Sequence, residues 1–85
     1  MAQYNIVIRK AVHKDMQSIP KKDAQRIITA IESLAKNPRP QGSKKLSAQE
    51  RYRLRQGTYR ILYEIEDMKL IVCVVKVRHR RDAYR

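Results

Sequence analysis

Arginine is concentrated at two places in the second half of this chain, and its side chain offers the clearest chemistry in the sequence. Arg51, Arg53 and Arg55 alternate with other residues in "RYRLRQGTYR", and Arg60 follows after a short loop. The last ten residues, "KVRHRRDAYR", hold five Lys or Arg against one Asp. Since a guanidinium group can bind two phosphate oxygens at once, both stretches favour recognition of an anion such as phosphate.

The two stretches are predicted to meet on one surface of a sheet. Adjacent antiparallel strands place cross-strand neighbours about 4.5 to 5.5 Å apart, and like charges at that distance destabilise a fold. Taken singly, each arginine is more typical of a solvated surface position. Taken together on three consecutive strands, the set favours an anion-binding face. Its members are Arg51, Arg53, Arg55, Arg60, Lys76, Arg78, Arg80 and Arg81.

Few side chains near these arginines can move a proton at neutral pH. Arginine stays protonated, whereas an unperturbed imidazole titrates near pH 6.5 and a phenol in a cationic setting becomes more acidic. "HRRDAY" places His79 and Tyr84 within six residues, and Tyr52 lies in the first stretch. The structural alternatives are a polar residue at a sheet edge for His79 and an aromatic cover for the core at Tyr84.

Composition limits the remaining possibilities. The 85 residues carry 20 Lys and Arg against 8 Asp and Glu, a net charge of +12, which favours nucleic acid as partner ahead of an acidic protein or an anionic membrane surface. One cysteine and two histidines argue against a disulfide, a structural metal and any cofactor site. Cys73 is expected to be a buried apolar residue. Without a signal-like or membrane-spanning stretch, we expect one soluble, cytoplasmic domain covering 1–85.

The first half of the chain predicts the elements that support this surface. "YNIVIRK" alternates like a strand and should end at Arg9 and Lys10, and a short helix fits Ala11 to Ile19 before Pro20. A second helix should run to about Asn37, where "NPRP" ends it. Its apolar stripe comprises Ala24, Ile27, Ile28, Ile31, Leu34 and Ala35. The following "SKKLSAQE" is interpreted as a polar loop anchored by Leu46.

The second half predicts three strands. Residues 51–55 and 59–66 form a hairpin around "QGT", and a tight turn near Asp67 and Met68 leads to a last strand from about Lys69 to Val77. Tyr59 and Tyr63 fall on the apolar phase of their strand. The order β-α-α-β-β-β predicts an α+β domain in which a helical hairpin packs on one face of a three-stranded antiparallel meander and its N-terminal strand.

These residues resemble a known family. "YRLRQGTYRILYEIED" and the terminal "VRHRRDAYR" are similar to the RelE/ParE superfamily of type II toxins, and most similar to RelE-type mRNA interferases; the similarity extends over nearly the whole chain. The resemblance implies a toxin that enters the ribosomal A site and cuts mRNA without a metal. It also implies a cognate antitoxin with an acidic or amphipathic segment, besides the ribosome and mRNA, as partners.

The resemblance further implies roles for individual residues. Arg60 and Arg80 match the family's phosphate-stabilising arginines, and Tyr84 matches its C-terminal catalytic tyrosine. Arg53 lies among positions where family members carry lysine and arginine, so it joins the expected catalytic set, with His79 as a further proton carrier. Binding of the RNA phosphates is expected from the remaining arginines, Arg51, Arg55, Arg78 and Arg81.

Two other functions stay open at this point. A ParE-like toxin shares the fold but blocks DNA gyrase, and a gyrase inhibitor would have no need of "HRRDAY" together with Arg60. A non-catalytic RNA-binding or ribosome-binding module would explain the positive charge equally well.

Overall fold

A five-stranded mixed sheet organises the computed structural model, which describes residues 3–46 and 51–81. The elements are β1 (Asn5–Ile8), α1 (Lys10–Gln17), α2 (Lys21–Ser33), β2 (Lys44–Leu46), β3 (Arg51–Gln56), β4 (Tyr59–Glu66) and β5 (Ile71–His79), with one 3₁₀ turn at Asp67–Lys69. The strand order is β1-β5-β4-β3-β2. This is the α+β arrangement that the sequence predicts, with the helices inserted between the first strand and the others.

Three details of the sheet differ from the sequence-based prediction. β1 pairs with β5 in parallel, so the sheet is mixed rather than antiparallel. Part of the predicted polar loop is a strand, because Lys44–Leu46 pair antiparallel with β3 and place Lys44 opposite Arg53. Finally, β5 continues to His79, two residues beyond the predicted end at Val77.

The core lies between the helices and one face of the sheet. Alternate residues of β3 and β4 point into it, so Tyr52, Leu54, Ile61 and Tyr63 are buried. Tyr63 is fully buried, as the sequence predicts, and its hydroxyl donates to the Pro38 carbonyl oxygen at 2.8 Å. The helices contribute Val12, Ile27, Ile31 and Leu34 to the same cluster.

One residue of the predicted stripe on α2 lies outside the core. Ile28 is 48% exposed, whereas Ile27, Ile31 and Leu34 are buried. These three are spaced by four and three residues and share one side of the helix, and Ile28 lies about 100° further round the axis than Ile27. The prediction for Ile28 is therefore wrong, because the sheet covers only a narrow stripe of α2.

An ion-pair network links the segment after α2 to the 3₁₀ turn between β4 and β5. Both terminal nitrogens of Arg39 donate to the Asp67 carboxylate, at 3.1 and 2.9 Å, and its Nε donates to the Tyr52 hydroxyl at 3.1 Å. The Tyr4 hydroxyl donates to the same carboxylate at 2.6 Å. Chiefly through the hydrogen bonds from Arg39, and then from Tyr4, the pKa of Asp67 is lowered to about 2.

Candidate functional site

Three of the predicted arginines lie side by side on the face of the sheet that the helices leave open. Arg55 on β3 is opposite Arg60 on β4, and Arg60 is opposite Arg78 on β5. Cross-strand partners point to the same side of a sheet, and the neighbouring positions Leu54, Ile61 and Val77 point to the core. The three arginines therefore form a row across the open face, close to the tip of the β3–β4 hairpin.

Arg80 joins this row through the backbone. Its N–H donates to the Thr58 carbonyl oxygen at 2.7 Å, which ties the end of β5 to the hairpin tip. The tip is a two-residue loop in which Gly57 adopts a φ of +60°, a left-handed conformation that glycine accepts without strain. Arg55, Arg60 and Arg80 line one cavity of about 170 Å³ at this tip. We name this feature the arginine cavity.

A β-bulge explains why Arg78 faces Arg60. Tyr63 is opposite Val74 and Leu62 is opposite Lys76, so Val75 is an extra residue in β5. Both Val74 and Val77 are consequently buried, although an uninterrupted strand would place them on opposite faces. The bulge reverses the phase of the last residues of β5 and brings Arg78 to the open face.

The other arginines of β3 lie further from the arginine cavity. Arg51 is four residues from Arg55, about 13 Å along a strand. It is opposite Glu64, whose carboxylate it contacts at 3.0 Å, and Arg9 lies 3.5 Å from the same carboxylate. Arg53 is half-buried between Lys44 and Leu62, and its Nε has no hydrogen-bond partner among the described residues. Arg51 is thus balanced by an acid, whereas Arg53 has no acidic partner among the described residues.

Several arginines near the hairpin tip have no acidic partner in the described part of the chain. Within residues 3–46 and 51–81, no carboxylate lies within ion-pair distance of Arg53, Arg55, Arg78 or Arg80. Guanidinium groups such as those of Arg53, Arg55, Arg78 and Arg80, which have no carboxylate partner among the described residues, are suited to a ligand that carries negative charge.

His79 lies on the other face of the sheet. It is opposite Tyr59, and the two rings meet edge to face with centroids 5.3 Å apart. Tyr59 packs against the core cluster, so this pair is on the helix side. The Arg81 N–H donates to His79 Nδ1 at 3.2 Å, which leaves the proton of the neutral ring on Nε2. His79 is not among the residues that line the arginine cavity.

Two predicted site residues remain, Arg81 and Tyr84. Arg81 is exposed and follows the cavity-lining Arg80 directly. Tyr84 lies outside the described residues, so its assignment stays a prediction.

Sequence reasoning missed two acids that shape this region. Glu64 holds Arg51 and Arg9, and the only sequence signal for it is its place on the same phase of β4 as Arg60. Asp15 on α1 accepts the Val77 N–H at 3.1 Å and the Lys76 ammonium at 3.1 Å. Contacts across about sixty residues leave no local pattern, so Asp15 could not be found before the fold was known.

The described part of the chain offers no group of three or more His, Cys, Asp or Glu side chains arranged to hold a metal ion. Neither of its helices has the length and apolar character needed to cross a bilayer.

Comparison with known proteins gives concordant matches. Residues 6–84 match the family model described as the ParE toxin of the parDE type II toxin-antitoxin system. The curated protein RelE1 of Methanocaldococcus jannaschii, whose name describes it as a toxin, is 31% identical over 87 residues that cover 98% of this chain and 97% of the relative.

Solved structures share the fold. A chain of the archaeal RelE–RelB complex from Pyrococcus horikoshii superposes with a TM-score of 0.84 at 29% identity, covering 95% of this chain and 99% of its own length. A chain of the RelBE2 toxin-antitoxin complex from Mycobacterium tuberculosis gives a TM-score of 0.83 at 26% identity, with coverage of 96% and 97%. Both structures are complexes, of RelE with RelB in the first and of a toxin with its antitoxin in the second.

Proposed function

We propose, from the premise that this chain belongs to the RelE/ParE superfamily of type II toxin-antitoxin toxins, that it is an endoribonuclease that cuts mRNA in the ribosomal A site. One observation carries this proposal: Arg55, Arg60 and Arg80 line a single cavity, and neither Arg55 nor Arg80 has an acidic partner in the described part of the chain. The toxin would act in the cytoplasm, where translating ribosomes are found.

The proposed reaction needs no metal ion. The ribose 2′-oxygen attacks the adjacent phosphorus, and the bond from phosphorus to the 5′-oxygen breaks. The products are a 2′,3′-cyclic phosphate and a free 5′-hydroxyl. The proton of the 2′-hydroxyl passes to a base, and the departing 5′-oxygen receives a proton from an acid. Negative charge builds on the phosphoryl oxygens in the transition state, so fixed cations around the phosphorus accelerate the step.

The arginine cavity is suited to that last task. Arg60 is part of β4, and the backbone of Arg80 is held to the hairpin tip by its bond to Thr58, so the sheet fixes the backbone of both residues. Arg55 adds charge from the third strand. We assign these three residues to the scissile phosphate, and Arg53 with Arg78 to the flanking phosphates.

The proton carriers are assigned separately from the groups that bind phosphate. Arginine is a poor base because it stays protonated. Glu64 lies four residues from Arg60, about 13 Å along β4, which is too far for direct proton transfer. His79 lies on the helix side of the sheet, beside Tyr59. We therefore assign proton donation to Tyr84 and give His79 a binding role.

The decisive test measures cleavage of mRNA on programmed ribosomes. Arg80→Ala or Arg60→Ala should lower the cleavage rate about 10²- to 10³-fold, as does the loss of one preorganised donor to a transition-state oxyanion. Tyr84→Ala should also abolish cleavage. Lys69→Ala is the matched control, since Lys69 is a cation at the opposite end of the β4–β5 hairpin. Equal rates in the wild type and in Arg80→Ala would refute the assignment.

A protein partner follows from the family. The RelE toxins of the two superposed complexes are bound to RelB antitoxins, and we propose that a cognate antitoxin with an acidic or amphipathic segment neutralises this chain. The second candidate function is inhibition of DNA gyrase, which the parDE description of the matching family model favours. Loss of supercoiling activity in a gyrase assay, without mRNA cleavage, would support that alternative.

A further inference from the structure

A cavity of about 580 Å³ opens at the free edge of β5, on the other side of Arg78 from the arginine cavity. It lies between the C-terminal end of α1 and the last residues of β5. Ser18 and Ile19 form one wall, and Tyr59, Arg78 and His79 form the other. We name it the edge cavity.

The edge cavity exists because β1 is shorter than β5. Pairing of β1 with β5 ends at Ile8 opposite Val74, where the Arg9 N–H donates to the Val74 carbonyl oxygen. Beyond that point Asp15, whose side chain is 17% exposed, takes the place of a strand and accepts the Val77 N–H. Asp15 also neutralises Lys76. Among the described residues of the wall, Arg78 is therefore the cation without an acidic partner.

The wall has the chemistry of a nucleoside site. The Tyr59 and His79 rings meet at 86°, so together they present both an aromatic face and an aromatic edge, and Ile19 adds an apolar surface. Bases bind to proteins by stacking on such side chains, with hydrogen bonds to their polar edges. His79 Nε2 supplies a polar group, and Arg78 supplies charge for a phosphate.

Arg78 joins the two cavities. It lines the edge cavity, and it is opposite Arg60, which lines the arginine cavity, at a cross-strand separation of about 5 Å. A phosphate held by Arg60 thus lies next to the mouth of the edge cavity. We propose that the edge cavity binds the base of the nucleotide next to the scissile phosphate, with Tyr59 and His79 as its aromatic wall. The statement that this nucleotide belongs to the cleaved RNA strand rests on the proposed function.

Ser18 offers a way to close the edge cavity without altering the sheet. It is exposed and ends α1 with a φ of −94° and a ψ of 1°, and a negative φ of this kind does not require glycine. Ser18→Trp should fill the edge cavity. Ser18→Ala is the matched control, because it removes only the hydroxyl group, which donates to the Asp15 carbonyl oxygen.

The probes are inorganic phosphate and a dinucleoside monophosphate with a 2′-O-methyl group, which cannot be cleaved. Binding is followed by NMR on the whole chain. The dinucleotide should shift the backbone signals of Ser18, Val77 and His79 as well as those of Thr58 and Arg80, whereas phosphate should shift only the last two. Ser18→Trp should weaken dinucleotide binding about tenfold, the scale of one lost base stack, and leave phosphate binding unchanged.

Each outcome decides the proposal. Dinucleotide binding that is no tighter than phosphate binding, or equal in Ser18→Trp and the wild type, would overturn the edge cavity as a base site. Equal weakening of both ligands in Ser18→Trp would also overturn it, since the edge cavity would then only bind anions. A selective loss of dinucleotide binding by a chain that cuts no mRNA would leave the base site standing and refute the proposed nuclease instead.

Discussion

The two ends of the sheet use arginine in opposite ways. At the end near the 3₁₀ turn, Arg39 is fixed by a carboxylate and a phenol, through three hydrogen bonds and a guanidinium group 5.3 Å from the centre of the Tyr52 ring. At the hairpin end, Arg55 is opposite another arginine, and no carboxylate in the described part of the chain pairs with it. The sequence shows the same residue type at both ends, and only the fold separates them.

The difference shows where the fold gains stability and where it gives stability up. An arginine that is paired and hydrogen-bonded holds two segments of chain together. Arginines that face each other across strands repel, and an anion that binds between them reduces the repulsion. Mutations at the end that carries the Arg39 network should therefore lower the stability of the fold. Mutations of arginine at the hairpin end should instead lower activity and ligand binding.

The largest effect on stability is expected at Arg39. Arg39→Gln removes the bidentate pair with Asp67 and the bond to the Tyr52 hydroxyl, so the free energy of unfolding should fall by about 1 to 2 kcal/mol, the range for charged hydrogen bonds at a partly exposed site. Urea unfolding measures this value. Lys36→Gln is the control, because Lys36 is an exposed cation close by in sequence. Cleavage on ribosomes should remain near the wild-type rate.

If Arg39→Gln left stability unchanged and reduced cleavage instead, the contrast between the two ends would be wrong. The network would then belong to the functional surface.

Acid should weaken the same network by a smaller amount. The pKa of Asp67 is lowered from 3.8 to about 2 by the hydrogen bonds from Arg39 and Tyr4, so the folded protein favours the charged carboxylate. Its contribution to stability is fully present above about pH 4 and is lost as the pH falls toward 2. The stability difference between wild type and Asp67→Asn, measured by urea unfolding, should therefore shrink across that interval. Glu32→Gln controls for the loss of one exposed carboxylate.

The sequence predicts the supporting elements well because their signals are local. The stripe containing Ile27 and Ile31, the alternation of β3 and β4, and the glycine of the hairpin each depend on residues within a few positions. β2 was missed because three residues, Lys44–Leu46, carry too little pattern to show a strand. The parallel pairing of β1 with β5 depends on contacts between the two ends of the chain, which no local pattern records.

The sequence predicts which residue types form the site, but not on which face of the sheet each one lies. Alternation alone places Arg51, Arg53 and Arg55 on one face, and the structure has them there. The phase of β5 could not be read in the same way, because the extra residue Val75 shifts Arg78 to the open face and His79 to the helix side. The bulge therefore decides that Arg78, and not the adjacent His79, lies on the face that carries Arg55 and Arg60.

The smallest expected effect is the most direct test of the contrast. Arg55→Gln removes one of two guanidinium groups that lie opposite each other, so it should raise the free energy of unfolding by about 0.5 kcal/mol, whereas Arg39→Gln lowers it. Arg55→Lys keeps the charge and should stay near the wild type. In the presence of inorganic phosphate, the wild type should become more stable than Arg55→Gln. A ligand that binds only the folded state stabilises most the protein that binds it best. Urea unfolding with and without phosphate, at constant ionic strength, measures both effects. A loss of stability in Arg55→Gln without phosphate would mean that the hairpin end is held together by its arginines, as the opposite end is by Arg39.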